Sequence, residues 1–229
     1  MIADRKTYLG DVVKELSKEC PKNRIINIAC HGDSVPAGYF ATPFVDTFSA
    51  YPHLLHRGLK ERFPFAVINV IVTATGGEDS EWGSIRFEKT VLVHYPDVVT
   101  IDYGLNDRGI GLKKAKSNWR LMIEKSIENG IKVLLLTPTL DISGLYEESK
   151  DQWKLIHKHA DQIRELADEY QVGLIDCLAV FEDYISSGGD ITDLLSCPNH
   201  PNRKGHELIA REILRWFIFA FENSLKVVL

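Results

Sequence analysis

Four short runs of this 229-residue chain carry side chains suited to nucleophilic chemistry. The first is His31-Gly32-Asp33-Ser34, a serine on a tight glycine turn after a run of apolar residues. Such a turn exposes the hydroxyl and leaves backbone N–H groups facing a developing oxyanion. A plain turn or helix cap would use the same residues. The second run, Thr75-Gly76-Gly77-Glu78-Asp79-Ser80, holds paired glycines that let the backbone approach a ligand and aim an N–H at it. It matches neither a dinucleotide fingerprint nor a Walker loop, and Asp79 or Ser80 could simply cap the next helix. The third is Gly104-Leu105-Asn106-Asp107, where the Asn106 amide is either a neutral donor to an anion or an Asx turn. The fourth, Asn199-His200-Pro201-Asn202, places a histidine just before the last amphipathic segment, where a loop can carry it over a sheet edge.

The elements that must position these runs can be read from periodicity. Five near-continuous apolar segments, Arg24–Ala29, Ala66–Thr73, Asp97–Tyr103, Ile131–Thr137 and Val172–Ile175, have strand length and the character of strands buried on both faces. Segments with helical spacing alternate with them: Phe48-Leu54-Leu55-Leu59, Trp119-Met122-Ile123-Ile127, and Trp153-Ile156-Ile163-Leu166. A leading helix over about 5–19, ended by Pro21, precedes the first strand, and a last helix over Gly205–Phe221 follows the fifth. Alternating strand and helix imply parallel pairing through right-handed crossovers. The expected fold is one domain over 1–229, a three-layer α/β/α sandwich on a five-stranded parallel, flavodoxin-like sheet. Its site should lie past the carboxyl ends of the strands.

In order and spacing the four runs resemble the SGNH hydrolases, the GDSL-type lipase, esterase and acylhydrolase family, over residues 24 to 221. The matching blocks are Gly32-Asp33-Ser34, the run ending at Gly77, Gly104-x-Asn106-Asp107, and His200-Pro201-Asn202. The resemblance implies that Ser34 is the nucleophile and His200 the general base. It further implies that the Ser34 N–H, the Gly77 N–H and the Asn106 amide form an oxyanion hole. Two positions depart from the pattern. Ala74 stands where a glycine is usual, and Cys197 stands three residues before the histidine, where the family places an aspartate. A thiol is a poor substitute for a carboxylate that must orient an imidazole. Asp193, on the same loop, is the expected replacement, with Asp190 behind it and a backbone carbonyl as the alternative. The implied substrate is a small ester, short-chain acyl or carbohydrate O-acetyl. A non-catalytic carbohydrate-binding or scaffold protein and an acyl-CoA thioesterase or lysophospholipase are the competing readings.

Composition narrows the partners. Lys plus Arg number 27 against 32 Asp plus Glu, a net charge of −5, which argues against a nucleic-acid binder. The longest apolar stretch, Trp216–Phe221, is far below the ~20 residues that cross a bilayer. The N-terminus has no apolar leader, so a cytoplasmic, non-membrane location with reduced thiols is expected. The four cysteines show no metal-ligand spacing, and no metal or cofactor is implied. Leu214 and Ile218 fall off the apolar stripe of the last helix. They form a contact for a second copy, giving a homodimer, or an ordinary surface patch.

Overall fold

The computed structural model describes residues 1–218. Its centre is a parallel sheet of β1 (Ile25–Gly32), β2 (Val67–Val72), β3 (Val98–Asp102), β4 (Lys132–Leu136) and β5 (Gly173–Ile175), in the order β2-β1-β3-β4-β5. The order reverses between β1 and β3, whose carboxyl ends pair as Gly32 with Asp102. A crevice opens at such a switch point, and Ser34 lies two residues past it.

Among the described residues, eight helices surround the sheet: α1 (Gly10–Leu16), α2 (Ser34–Ala37), α3 (Tyr51–Arg62), α4 (Ser80–Thr90), α5 (Leu112–Glu128), α6 (Lys150–Tyr170), α7 (Cys177–Ser186) and α8 (Arg203–Leu214). Strand side chains alternate between two cores, as a period of two requires. Ile26, Ile28, Cys30, Leu134 and Leu136 pack with α1, α3, α7 and α8. Ala29, Val99, Ile101, Val133 and Leu135 pack with α4, α5 and the later half of α6. The sandwich therefore has three layers, as the apolar runs imply. The edge strand β2 departs from the expected two-sided burial: Val67 and Val72 are exposed, because no sixth strand among the described residues covers its outer rim.

Two short antiparallel ribbons complete the site edge, and the periodicity does not announce them. Tyr39–Ala41 pairs with Phe44–Val45, and Leu195–Cys197 with His200–Pro201. Both ends of the chain differ from expectation. The leading helix is the shorter α1, preceded by turns. The last helix stops at Leu214, and Trp216 and Phe217 turn back into the core. The expected continuation through Ala220 and Phe221 lies outside the described residues. Leu214 is half-buried, packing in part onto Gly58 of α3, and Arg62 donates to its carbonyl at 2.6 Å. No helix among the described residues is long and apolar enough to cross a membrane.

Candidate active site

The nucleophile turn is built by close approach. A Cβ on Gly32 would stand 2.4 Å from the Asp102 carbonyl oxygen, so only glycine allows β1 to run this near β3. Asp33 then caps α2, its Oδ1 accepting the Val35 N–H at 2.9 Å. This cap places Ser34 at the first helical position, where its own N–H has no intrahelical partner. Asp33 is buried, and its Oδ2 has no hydrogen-bond partner. Burial pushes its carboxyl up to about 7; the Val35 N–H pulls the other way and nearby Asp107 adds to the rise.

The histidine arrives on the second ribbon. Asn202 fixes that ribbon against α8: its Oδ1 accepts the Gly205 N–H at 3.2 Å, while its Nδ2 donates to the Asp193 carbonyl at 2.9 Å. Ser196 ties the ribbon to the other one by donating to the Phe40 carbonyl at 2.6 Å. His200 Nε2 thereby stands 2.9 Å from Ser34 Oγ, with both side chains almost fully buried. Burial lowers the His200 pKa below the ordinary imidazole value, and the neighbouring Phe40 carbonyl raises it again in part. The opposite ring nitrogen, Nδ1, is buried and makes no hydrogen bond.

The expected acid is therefore not in place. Asp193 lies in the 3₁₀ turn Ile191–Asp193, facing solvent. Its Oδ2 accepts the Tyr184 hydroxyl at 2.8 Å and the Asp190 N–H at 3.3 Å, and these bonds hold its pKa below the usual carboxylate value. Asp190 is used in the same turn, accepting from the Thr192 N–H and hydroxyl. The physical reason is local: a 3₁₀ capping box satisfies both carboxylates within the turn and points them away from the base. Cys197 is the cross-strand neighbour of His200, but its thiol makes no bond to the ring. No backbone carbonyl accepts from Nδ1 either, although the Phe40 carbonyl raises the imidazole pKa in part.

The three anticipated anion donors sit on the loops that follow β1, β2 and β3. Gly77 adopts φ +80°, a left-handed conformation that favours glycine, with open space around its α-carbon. Asn106 starts a 3₁₀ turn after β3, and one Nδ2 proton goes to the Glu78 carbonyl at 2.9 Å, next to Gly77, leaving the second proton free. The N–H groups of Ser34 and Gly77 donate to no protein group among the described residues. Asp107 supports the arrangement from below. Its two oxygens accept the Ser80 N–H at 2.8 Å and the Trp119 indole N–H at 2.6 Å, tying the third loop to α4 and α5. Asp79 caps α4, and Asp141 and Asp176 cap later helices, the turn roles their sequence contexts imply.

Sequence reasoning missed a polar cluster behind these loops, buried at His31, Thr73 and Tyr103 and half-buried at Arg86 and Glu78. The signal that could have found it was the pair of polar residues at adjoining strand ends, His31 and Thr73, since buried polar groups need partners. His159 on α6 is also buried, and burial drops its pKa to about 4.

A serine hydroxyl on an imidazole nitrogen, beside unpaired N–H donors at the switch point of a doubly wound sheet, defines a serine hydrolase site in its class. The model of the GDSL-like lipase/acylhydrolase family matches residues 30–208, and the chain belongs to that family of carboxylic ester hydrolases. Among solved structures, an acetylxylan esterase from Geobacillus stearothermophilus superposes with a TM-score of 0.73 at 21% identity, covering 85% of this chain and 94% of that one. An α/β hydrolase from the metagenome of Lake Arreo, Spain, gives a TM-score of 0.71 at 20% identity over 84% and 94% of the two chains. At these identities the likeness is one of fold. No curated protein matches the chain.

Proposed function

We propose that this chain cleaves small carboxylic esters, short-chain acyl or carbohydrate O-acetyl, through an acyl-Ser34 intermediate. The observation that carries the reading is the 2.9 Å approach of His200 Nε2 to Ser34 Oγ beside unpaired N–H donors. In the first half-reaction Ser34 Oγ attacks the ester carbonyl carbon while its proton passes to Nε2. The carbonyl oxygen becomes an oxyanion held by the Ser34 and Gly77 N–H groups and the free Asn106 amide proton. Each such donor is worth about 10²–10³ in rate. Collapse expels the alcohol, which takes the proton from Nε2. A water molecule then repeats the sequence on the acyl-enzyme, giving the acid and restoring Ser34.

With no carboxylate on Nδ1, Ser34 and His200 act as a dyad, and the Phe40 carbonyl favours the charged ring in part. Short acyl groups are favoured because the nucleophile turn passes straight into a four-residue helix and a tight ribbon, with no lid inserted between them. The acetyl-sugar reading draws on the likeness to the acetylxylan esterase and on the exposed Trp82, at the start of α4 close to Gly77. The missing acid is what favours the competing reading, a binding protein without turnover. Ser34→Ala separates the two: the proposal expects loss of p-nitrophenyl acetate hydrolysis in a folded protein, and retained turnover would overturn it.

A further inference from the structure

The catalytic reading leaves one polar cluster unused, and that cluster touches all three loops that supply the anion donors. Arg86, on the inner side of α4, donates to the Thr90 hydroxyl one turn on at 3.2 Å and to three groups at the loop ends. Nε donates to Glu78 Oε2 at 2.8 Å, Nη1 to the Thr73 carbonyl at 2.7 Å, and Nη2 to the Tyr103 hydroxyl at 3.2 Å. Thr73 and Glu78 are the two ends of the loop that carries Gly77. Tyr103 directly follows β3, three residues before Asn106. Its hydroxyl meets His31 Nε2 at 3.1 Å, and His31 Nδ1 meets Thr73 Oγ1 at 2.9 Å. His31 directly precedes the Gly32-Asp33-Ser34 turn.

His31 is tied on both sides. Nε2 also lies 3.2 Å from the Gly83 carbonyl and Nδ1 3.3 Å from the Thr73 carbonyl, so each ring nitrogen has a hydroxyl and a backbone carbonyl within reach, and either neutral tautomer finds a partner on both sides. Burial, with the Arg86 charge beside it, lowers the His31 pKa to about 4 and keeps the ring neutral. Packing agrees: a Cβ on Gly83 would stand 2.4 Å from the Tyr103 ring, so glycine in α4 is what lets the tyrosine cross to these partners. Glu78 closes the circuit, since its carboxylate takes Arg86 while its backbone carbonyl takes Asn106 Nδ2 at 2.9 Å.

We propose that Arg86 and Glu78 are positioning residues that set the oxyanion-hole geometry, holding the Gly77 N–H and the Asn106 amide at one spacing from Ser34. The inference rests on the esterase reading above. Neither residue touches substrate; both act through the loop ends. Donors preorganised toward the developing charge contribute to the transition state rather than to substrate binding. Loosening them should therefore lower kcat and leave KM nearly unchanged.

The test is steady-state kinetics on p-nitrophenyl acetate with Arg86→Met, Arg86→Lys, Glu78→Ala and Asn106→Ala, alone and paired, each checked for folding by circular dichroism. Arg86→Met should lower kcat about 10- to 100-fold with KM within about threefold, and Arg86→Lys should recover part of the loss. In the Arg86→Met/Asn106→Ala pair the losses should be clearly less than multiplicative, because both act on one oxyanion. If Arg86→Met does not fold, Glu78→Ala carries the same expectation from the other side of the ion pair. Unchanged kcat in folded variants, or fully multiplicative losses, would overturn the clamp. Failure of the esterase reading shows separately, as turnover retained in Ser34→Ala.

Discussion

The empty side of His200 makes a gain-of-activity prediction. Cys197 and His200 are opposed in the antiparallel ribbon, and opposed residues place their Cβ atoms about 4.5–5.5 Å apart on one face. Cys197→Asp should bring a carboxylate to the Nδ1 side of the ring. When Nε2 takes the serine proton, an imidazolium forms in a site where His200 is only 7% exposed. A carboxylate some 4 Å away is worth up to about 4 kcal/mol at an effective dielectric near 20, and desolvating it in a half-buried site costs part of that. A net gain of about 1.5–3 kcal/mol raises kcat about 10- to 10²-fold, well under the ~10⁴ that separates Asp from Asn in a serine triad. The sign on pKa is also fixed. Burial now depresses the His200 pKa, and the active form is the neutral base, so the acid limb of the kcat profile lies below the ordinary value near 6.5. A neighbouring carboxylate favours the charged ring, so the limb should move up in pH as kcat rises. The assay is kcat against pH for wild type, Cys197→Asp and Cys197→Asn. A folded Cys197→Asp protein with unchanged kcat and an unmoved limb would refute the reasoning.

Asp193→Asn should keep near-full esterase activity and lose only a little thermal stability, because its carboxylate serves a 3₁₀ cap and Tyr184; a fall in turnover rate by a factor of about 10² would restore it as the acid. Asn106→Ala should lower kcat about 10²–10³-fold with little change in KM, read from Michaelis curves on p-nitrophenyl acetate. Acetyl esters should exceed octanoyl esters in kcat/KM, and a preference for octanoyl would point to a lysophospholipase. Burial lowers the pKa values of His31 and His206 to about 4 and about 3, so the unfolded chain binds more protons than the native one below about pH 6.5. These two groups therefore cost stability as pH falls through that window, and melting curves from pH 7 to 4 should decline less steeply in a His206→Gln variant.

What could be read from sequence here depends on the physics of each signal. The five strands were legible because four of them are sealed between helices and read as unbroken apolar runs, with observed ends within three residues of those expected. Gly32 and Gly77 were legible because backbone approach and positive φ leave glycine few substitutes. The ribbons that carry Tyr39 and His200 were not, since two- and three-residue pairings have no period to detect. Asp193 misled because nearness in sequence says nothing of direction. The turn that Asp190 and Asp193 cap rotates both carboxylates outward. The Arg86 cluster was hidden for a related reason: its members come from β1, α4, the residues that directly follow β2 and β3, and the loop before α4, and only the closed sheet brings them together.

Covalent trapping puts the nucleophile itself to the test. Incubation with a fluorophosphonate, followed by proteolysis and mass mapping, should place one adduct on the peptide carrying Ser34, at a rate that His200→Ala greatly slows. No adduct should form in Ser34→Ala. An adduct on a different residue, or esterase turnover that survives in Ser34→Ala, would contradict the assignment of Ser34 as the nucleophile.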